Sequence, residues 1–140
     1  MKRLWAFCLF LVLLISCNKG LSKADLHWLN GYWEIEEVEG PGGRSKTYGL
    51  NETIDYIALN GLDGYRKKVQ PQADGTFLTS DDLLPFSIRE IEGRFFFVYS
   101  KGDTAWEEQL IALDSADFEV VNRDHITYHY KRYQPLKINE

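Results

Sequence analysis

The side chains that could do chemistry are few and scattered. His125 and His129 stand four residues apart near the end of the chain. On a helix that spacing would turn two imidazoles toward one ion. Along a strand it separates them by about 13 Å, too far for a shared ion whose ligands lie at about 2 Å. The surrounding residues alternate as a strand does, so no metal site is expected. Both histidines fall on the face of Lys131, opposite Tyr128 and Tyr130. The carboxylate pairs Asp81-Asp82 and Glu107-Glu108 are chain neighbours. Neighbours on a strand point to opposite faces, which argues against a general acid and base acting together. No Gly-x-Ser-x-Gly elbow, Walker-type loop or Gly-x-Gly-x-x-Gly fingerprint occurs. No catalytic residue and no cofactor is therefore expected, and the chain reads as a non-enzyme. The one basic run, Arg66-Lys67-Lys68, splits by alternation into Lys67 on one face and Arg66 with Lys68 on the other. It reads as a solvated strand rather than an anion site.

The whole chain supports the same direction. Its 140 residues, 44% hydrophobic and 14% aromatic, suit one globular domain and exclude a disordered or collagen-like polymer. The 21 acidic residues outnumber the 16 basic ones, for a net charge of −5. A field of that sign repels nucleic acid, which is not expected as a partner. Two cysteines, Cys8 and Cys17, cannot make a disulfide framework.

Both cysteines lie in a leader. Met1-Lys2-Arg3 is followed by an uncharged run from Leu4 to Ile15, then by small Ser16 and Cys17. A charged start, a short apolar run and a small residue are the parts of a secretory signal. The run would reach about 18 Å as a helix, short of the roughly 30 Å hydrocarbon core, so a permanent membrane span is not expected. Leu14-Ile15-Ser16-Cys17 resembles the lipobox of bacterial lipoproteins. That resemblance implies a signal peptide at residues 1–16, a lipidated cysteine with a short tether at 17–20, and a folded domain at 21–140. More than one acyl chain on Cys17, at about 0.8 kcal/mol per buried methylene, gives stable anchoring. Losing Lys2 and Arg3 leaves the mature chain more acidic still, so the lipid and not a basic patch must hold it to the membrane. The expected location is the cell envelope, the outer membrane preferred over the inner.

The mature chain begins with a helix start. Ser22 serves as N-cap, Asp25 as its capping-box partner, and Leu21 and Leu26 as a hydrophobic staple, while Asn30-Gly31 ends the helix after one or two turns. From Tyr32 the pattern becomes short runs rich in aromatic and branched residues. Strands are predicted over 32–39, 53–59, 64–70, 76–80, 84–91, 94–100, 105–113, 118–122 and 126–133. Turn residues such as Asn60-Gly61, Asp63-Gly64 and Glu92-Gly93 separate them. The class is all-β, with close antiparallel neighbours, as an up-and-down barrel of about eight strands or as a sandwich.

Asn30-Gly31-Tyr32-Trp33 puts a Gly-x-Trp at the start of the first strand, and Tyr130-Lys131-Arg132-Tyr133 puts an arginine in the last. On these residues the chain resembles lipocalin-like proteins of the calycin superfamily, in particular the small lipoproteins of Bacteroidetes-like bacteria. The resemblance implies an antiparallel β-barrel preceded by a short helix. It also implies that Trp33 lies at the closed end with Arg132 packed across it, a barrel-closing structural pair.

If Trp33 points inward, alternation sends Ile35 and Glu37 inward too; if Arg132 does, Tyr130, Tyr128 and Ile126 share its face. Phe95, Phe97 and Tyr99 form another one-face set, and Trp106, Glu108 and Leu110 a third. The expected ligand-binding residues are Ile35, Glu37, Phe97, Tyr99, Glu108, Tyr128 and Tyr130. Glu37 and Glu108 are the sharper members, because an inward carboxylate is costly without a partner. The leading expectation is a barrel that holds a small hydrophobic or amphipathic ligand. The competing ones are a filled core acting through an envelope protein partner, and a glycan contact on exposed aromatics.

Overall fold

The structure, a computed structural model, describes residues 20–135. The expected leader at 1–16, the expected lipid-attachment residue Cys17 and the expected tether up to residue 19 lie outside the described residues. A 3-10 helix at Lys23–Leu29 opens the fold. Its start is fixed by Asp25, whose carboxylate accepts from the Ser22 backbone N–H at 3.1 Å and from the Ser22 hydroxyl at 3.0 Å.

Ten strands follow: β1 (Gly31–Glu39), β2 (Ser45–Thr47), β3 (Ile54–Asn60), β4 (Asp63–Pro71), β5 (Phe77–Thr79), β6 (Leu84–Ile91), β7 (Arg94–Lys101), β8 (Thr104–Leu113), β9 (Asp117–Val121) and β10 (Thr127–Arg132). Eight of them, β1, β3, β4, β6, β7, β8, β9 and β10, pair in that order, and β10 returns to β1. Every pairing is antiparallel, so this is a closed up-and-down barrel and not a sandwich. The predicted strands coincide with these to within a residue or two, except at β2. Ser45-Lys46-Thr47 has no apolar residue to betray it and is held only by its pairing with Glu37–Glu39 of β1.

The lower barrel is packed solid. Leu26 and Leu29 of the helix, Trp33, Ile57, Phe86, Ile88, Phe95, Phe97, Leu110, Phe118 and Val120 are all buried in one cluster. Phe118 meets Trp33 edge-on at 4.7 Å, and Phe86 meets Phe97 likewise at 4.9 Å.

Ile54 and Val69 are also buried, but outside that cluster. Asp55, Arg66 and Lys68 face the interior, so alternation turns Ile54 and Val69 to the outer wall. The β4–β5 hairpin curls over that wall, where Phe77 stacks on Tyr32 at 4.3 Å and Tyr32 meets Tyr56 at 4.9 Å. The outer aromatics thus pack on one another as a small second core.

Candidate functional site

The closed end is set by Gly31, Trp33 and Arg132. Trp33 is completely buried, and its indole N–H donates to the Leu29 carbonyl at 2.8 Å. Arg132 is its register partner across β1 and β10, with the guanidinium carbon 3.7 Å from the indole centroid. The same guanidinium donates to the carbonyls of Asn30 (2.7 Å), Trp28 (2.8 Å) and Ser115 (3.1 Å). It therefore satisfies helix-end carbonyls that would otherwise be orphaned. Gly31 is required twice. Its φ is +122°, and a Cβ there would lie 2.7 Å from Arg132 Nη1.

The open end is built differently. Here a cavity of about 480 Å³ is lined by Tyr99, Trp106, Tyr128 and Tyr130 together with Asp55, Arg66, Lys67, Lys68, Ser80, Asp82, Leu83, Leu84, Lys101 and Glu108. Arg66, 8% exposed, donates to the hydroxyls of Tyr99 at 2.8 Å and Tyr130 at 3.2 Å. It also pairs with Asp55 at 3.4 Å, and Asp55 takes a second cation, Lys68, at 2.9 Å. Burial works against the charge on Arg66, but Tyr99, Asp55 and Tyr130 outweigh it and hold the guanidinium firmly protonated. Burial raises the phenol pKa of Tyr99 and of Tyr130, with Arg66 opposing in both.

Glu108 is the exception in this network. Its Oε2 is shielded from solvent and has no hydrogen-bond partner among the described residues. Burial raises its pKa; Arg66 pulls it down and Asp55 pushes it up again. Tyr99 and Trp106 stack at 5.4 Å beside it, and Phe97 is its register partner.

Of the seven residues expected at the site, Tyr99, Glu108, Tyr128 and Tyr130 line the cavity. Phe97 is fully buried and belongs to the floor beneath it, and Ile35 packs against the same solid cluster. The inward placement of Glu37 is corrected by a β-bulge. The β1–β10 register shifts between Ile35 and Glu37, so Glu37 pairs with His129 on the outer face and Val38 with Tyr128 on the inner one. His129 lies outside, 2.8 Å from Glu119 and 3.5 Å from Glu39. Burial would lower its pKa, but these carboxylates raise it on balance. His125 sits in the loop before β10 with a φ of 59°. Glu107 faces outward to Arg89 at 2.8 Å and Arg123 at 3.5 Å.

The solvated reading of Arg66 is overturned as well. The face that Arg66 shares with Lys68 is the barrel interior. The missed signal was Asp55, a lone acid inside the apolar run Ile54-Asp55-Tyr56-Ile57, whose burial demands a cation on the neighbouring strand.

A wider groove of about 790 Å³ lies outside the barrel, lined by Leu21, Asp25 and Trp28 together with parts of β8, β9 and β10. Two of its acids serve the fold: Asp114 accepts from the backbone N–H groups of Ala116 and Asp117, and Glu119 binds His129.

No protein-family model matches the chain, and no curated protein matches it. Among solved structures the chain is similar to a lipocalin-like protein from Bacteroides uniformis ATCC 8492. Identity is 7%, the match covers 76% of this chain and 99% of that one, and the TM-score is 0.48. The resemblance to lipocalin-like proteins is met here by a closed eight-stranded antiparallel barrel with a short helix at one end.

Proposed function

We propose that this protein is a lipid-anchored, non-enzymatic barrel of the cell envelope that holds a small amphipathic molecule in its open end. The cavity carries this reading: four aromatic side chains, Tyr99, Trp106, Tyr128 and Tyr130, share its lining with charged groups, above a floor already filled by Phe86 and Phe97. The filled floor leaves no deep slot for a long apolar chain, so a compact molecule with a polar group suits the space best. The lipobox at Leu14 to Cys17 supports the anchor.

Native mass spectrometry of the protein released from its own membranes tests both parts. The expected spectrum shows a retained small molecule, lost in Trp106→Ala, and an acylated peptide at Cys17. A bare barrel in repeated preparations, with tryptophan fluorescence indifferent to added hexan-1-ol, would overturn the binding reading. An unmodified Cys17 would overturn the anchor.

A further inference from the structure

The charged groups in the cavity are not equally provided for. Arg66 has Asp55 and two phenol oxygens, and Asp55 has both Arg66 and Lys68. Glu108 receives no hydrogen bond from any described residue, although one of its oxygens is shut away from water. A carboxylate so placed is costly unless something outside the protein brings a donor.

The surroundings say which kind. Trp106 precedes Glu108 by two residues on the same face, Tyr99 stacks on Trp106, and Tyr128 lines the same cavity. A carboxylate among aromatic rings offers a cation both a counter-charge and π faces. The hydroxyls of Tyr99 and Tyr130 already accept from Arg66, so their own protons remain to be given to an oxygen. A ligand carboxylate finds less here: Arg66 and Lys68 already serve Asp55, Lys67 donates to Thr79, and the remaining cation of the lining, Lys101, is exposed.

We infer that the molecule held in this cavity is an organic amine, its ammonium on Glu108 among the rings of Trp106, Tyr99 and Tyr128, and an acceptor oxygen further along it meeting Tyr99 and Tyr130. This inference rests on the ligand-binding reading above and gives that ligand its chemical class.

The test compares hexylamine, hexan-1-ol and hexanoate, one chain length with three head groups. They are titrated at pH 8 into the full lipidated protein in neutral-lipid nanodiscs, with empty nanodiscs subtracted, and binding is read by calorimetry and tryptophan fluorescence. Hexylamine is expected to bind about tenfold more tightly than the other two, the worth of one charge-assisted hydrogen bond. Glu108→Gln should erase that advantage, so that hexylamine and hexan-1-ol bind the variant alike, and Glu108→Asp should keep part of it. Circular dichroism and thermal unfolding establish that both variants are folded. Hexanoate binding most tightly, or hexylamine affinity indifferent to Glu108→Gln, would overturn the amine assignment and leave the cavity reading standing. Binding of none of the three would overturn both.

Discussion

At the closed end, Trp33 lies between Phe118 and Arg132, and the polar atoms of that cluster find protein partners: the indole N–H takes the Leu29 carbonyl, and the guanidinium takes three more. At the open end, Arg66 and Asp55 are buried almost as deeply, yet the Glu108 carboxylate beside them has no hydrogen-bond partner among the described residues. The same device, an arginine against aromatic rings, therefore does two jobs. At one end it completes a structure, and at the other it braces phenols whose protons have no acceptor among the described residues. The difference teaches that burial alone does not mark a binding site. Unequal satisfaction among neighbouring buried groups does.

Substitutions at the two ends should separate these jobs. Trp33→Ala should cost about 3–5 kcal/mol, read by urea unfolding, since it empties the best-packed point of the barrel. Arg66→Met should cost about 3 kcal/mol by stranding Asp55 with a single, largely exposed lysine. A loss below one kilocalorie would show that the mouth network contributes little to the fold. Gly31→Ala should cost about 2 kcal/mol through its positive φ and the displacement of Arg132, and Arg132→Met should mask part of that loss in a double-mutant cycle.

Glu108→Gln should have the opposite sign, raising stability by about 1 kcal/mol near neutral pH. Its pKa is raised in the folded state, so Glu108 favours folding while the carboxyl is protonated. That contribution is present below the ordinary glutamate range and lost as pH rises through the folded value. The gain in the variant should accordingly vanish in acid. The smallest effect is expected at His129, also raised in the folded state. His129→Gln should lose about 0.5 kcal/mol in mild acid, and the loss should fade as pH rises through the folded value, because Glu119 and Glu39 are partly exposed.

The closed end was legible only through the resemblance to lipocalin-like proteins, which a glycine before a tryptophan and an arginine near the finish brought to view. The strand pattern was legible from local sequence alone. The bulge was not, although Ile35 and Val38, apolar at an odd spacing within one strand, hint that alternation breaks between them. Arg66 was misread because a basic run looks solvated until the neighbouring strand is known. Asp55 and Arg66 lie eleven positions apart and meet only through the β3–β4 register. The network of Asp55, Arg66 and Lys68 in the mouth was therefore a tertiary fact, invisible to periodicity.

Closing the ring has a further consequence for how copies of this chain behave when crowded together. Among the described residues, the strands left at the margins of the sheet are the three-residue β2 and β5, each paired on one side only. β2 carries Lys46 at its centre, a charge that discourages a stranger's backbone from adding on. A population held at high density offers little purchase for runaway polymerisation, a protection built from the closed ring and the charge at its margin.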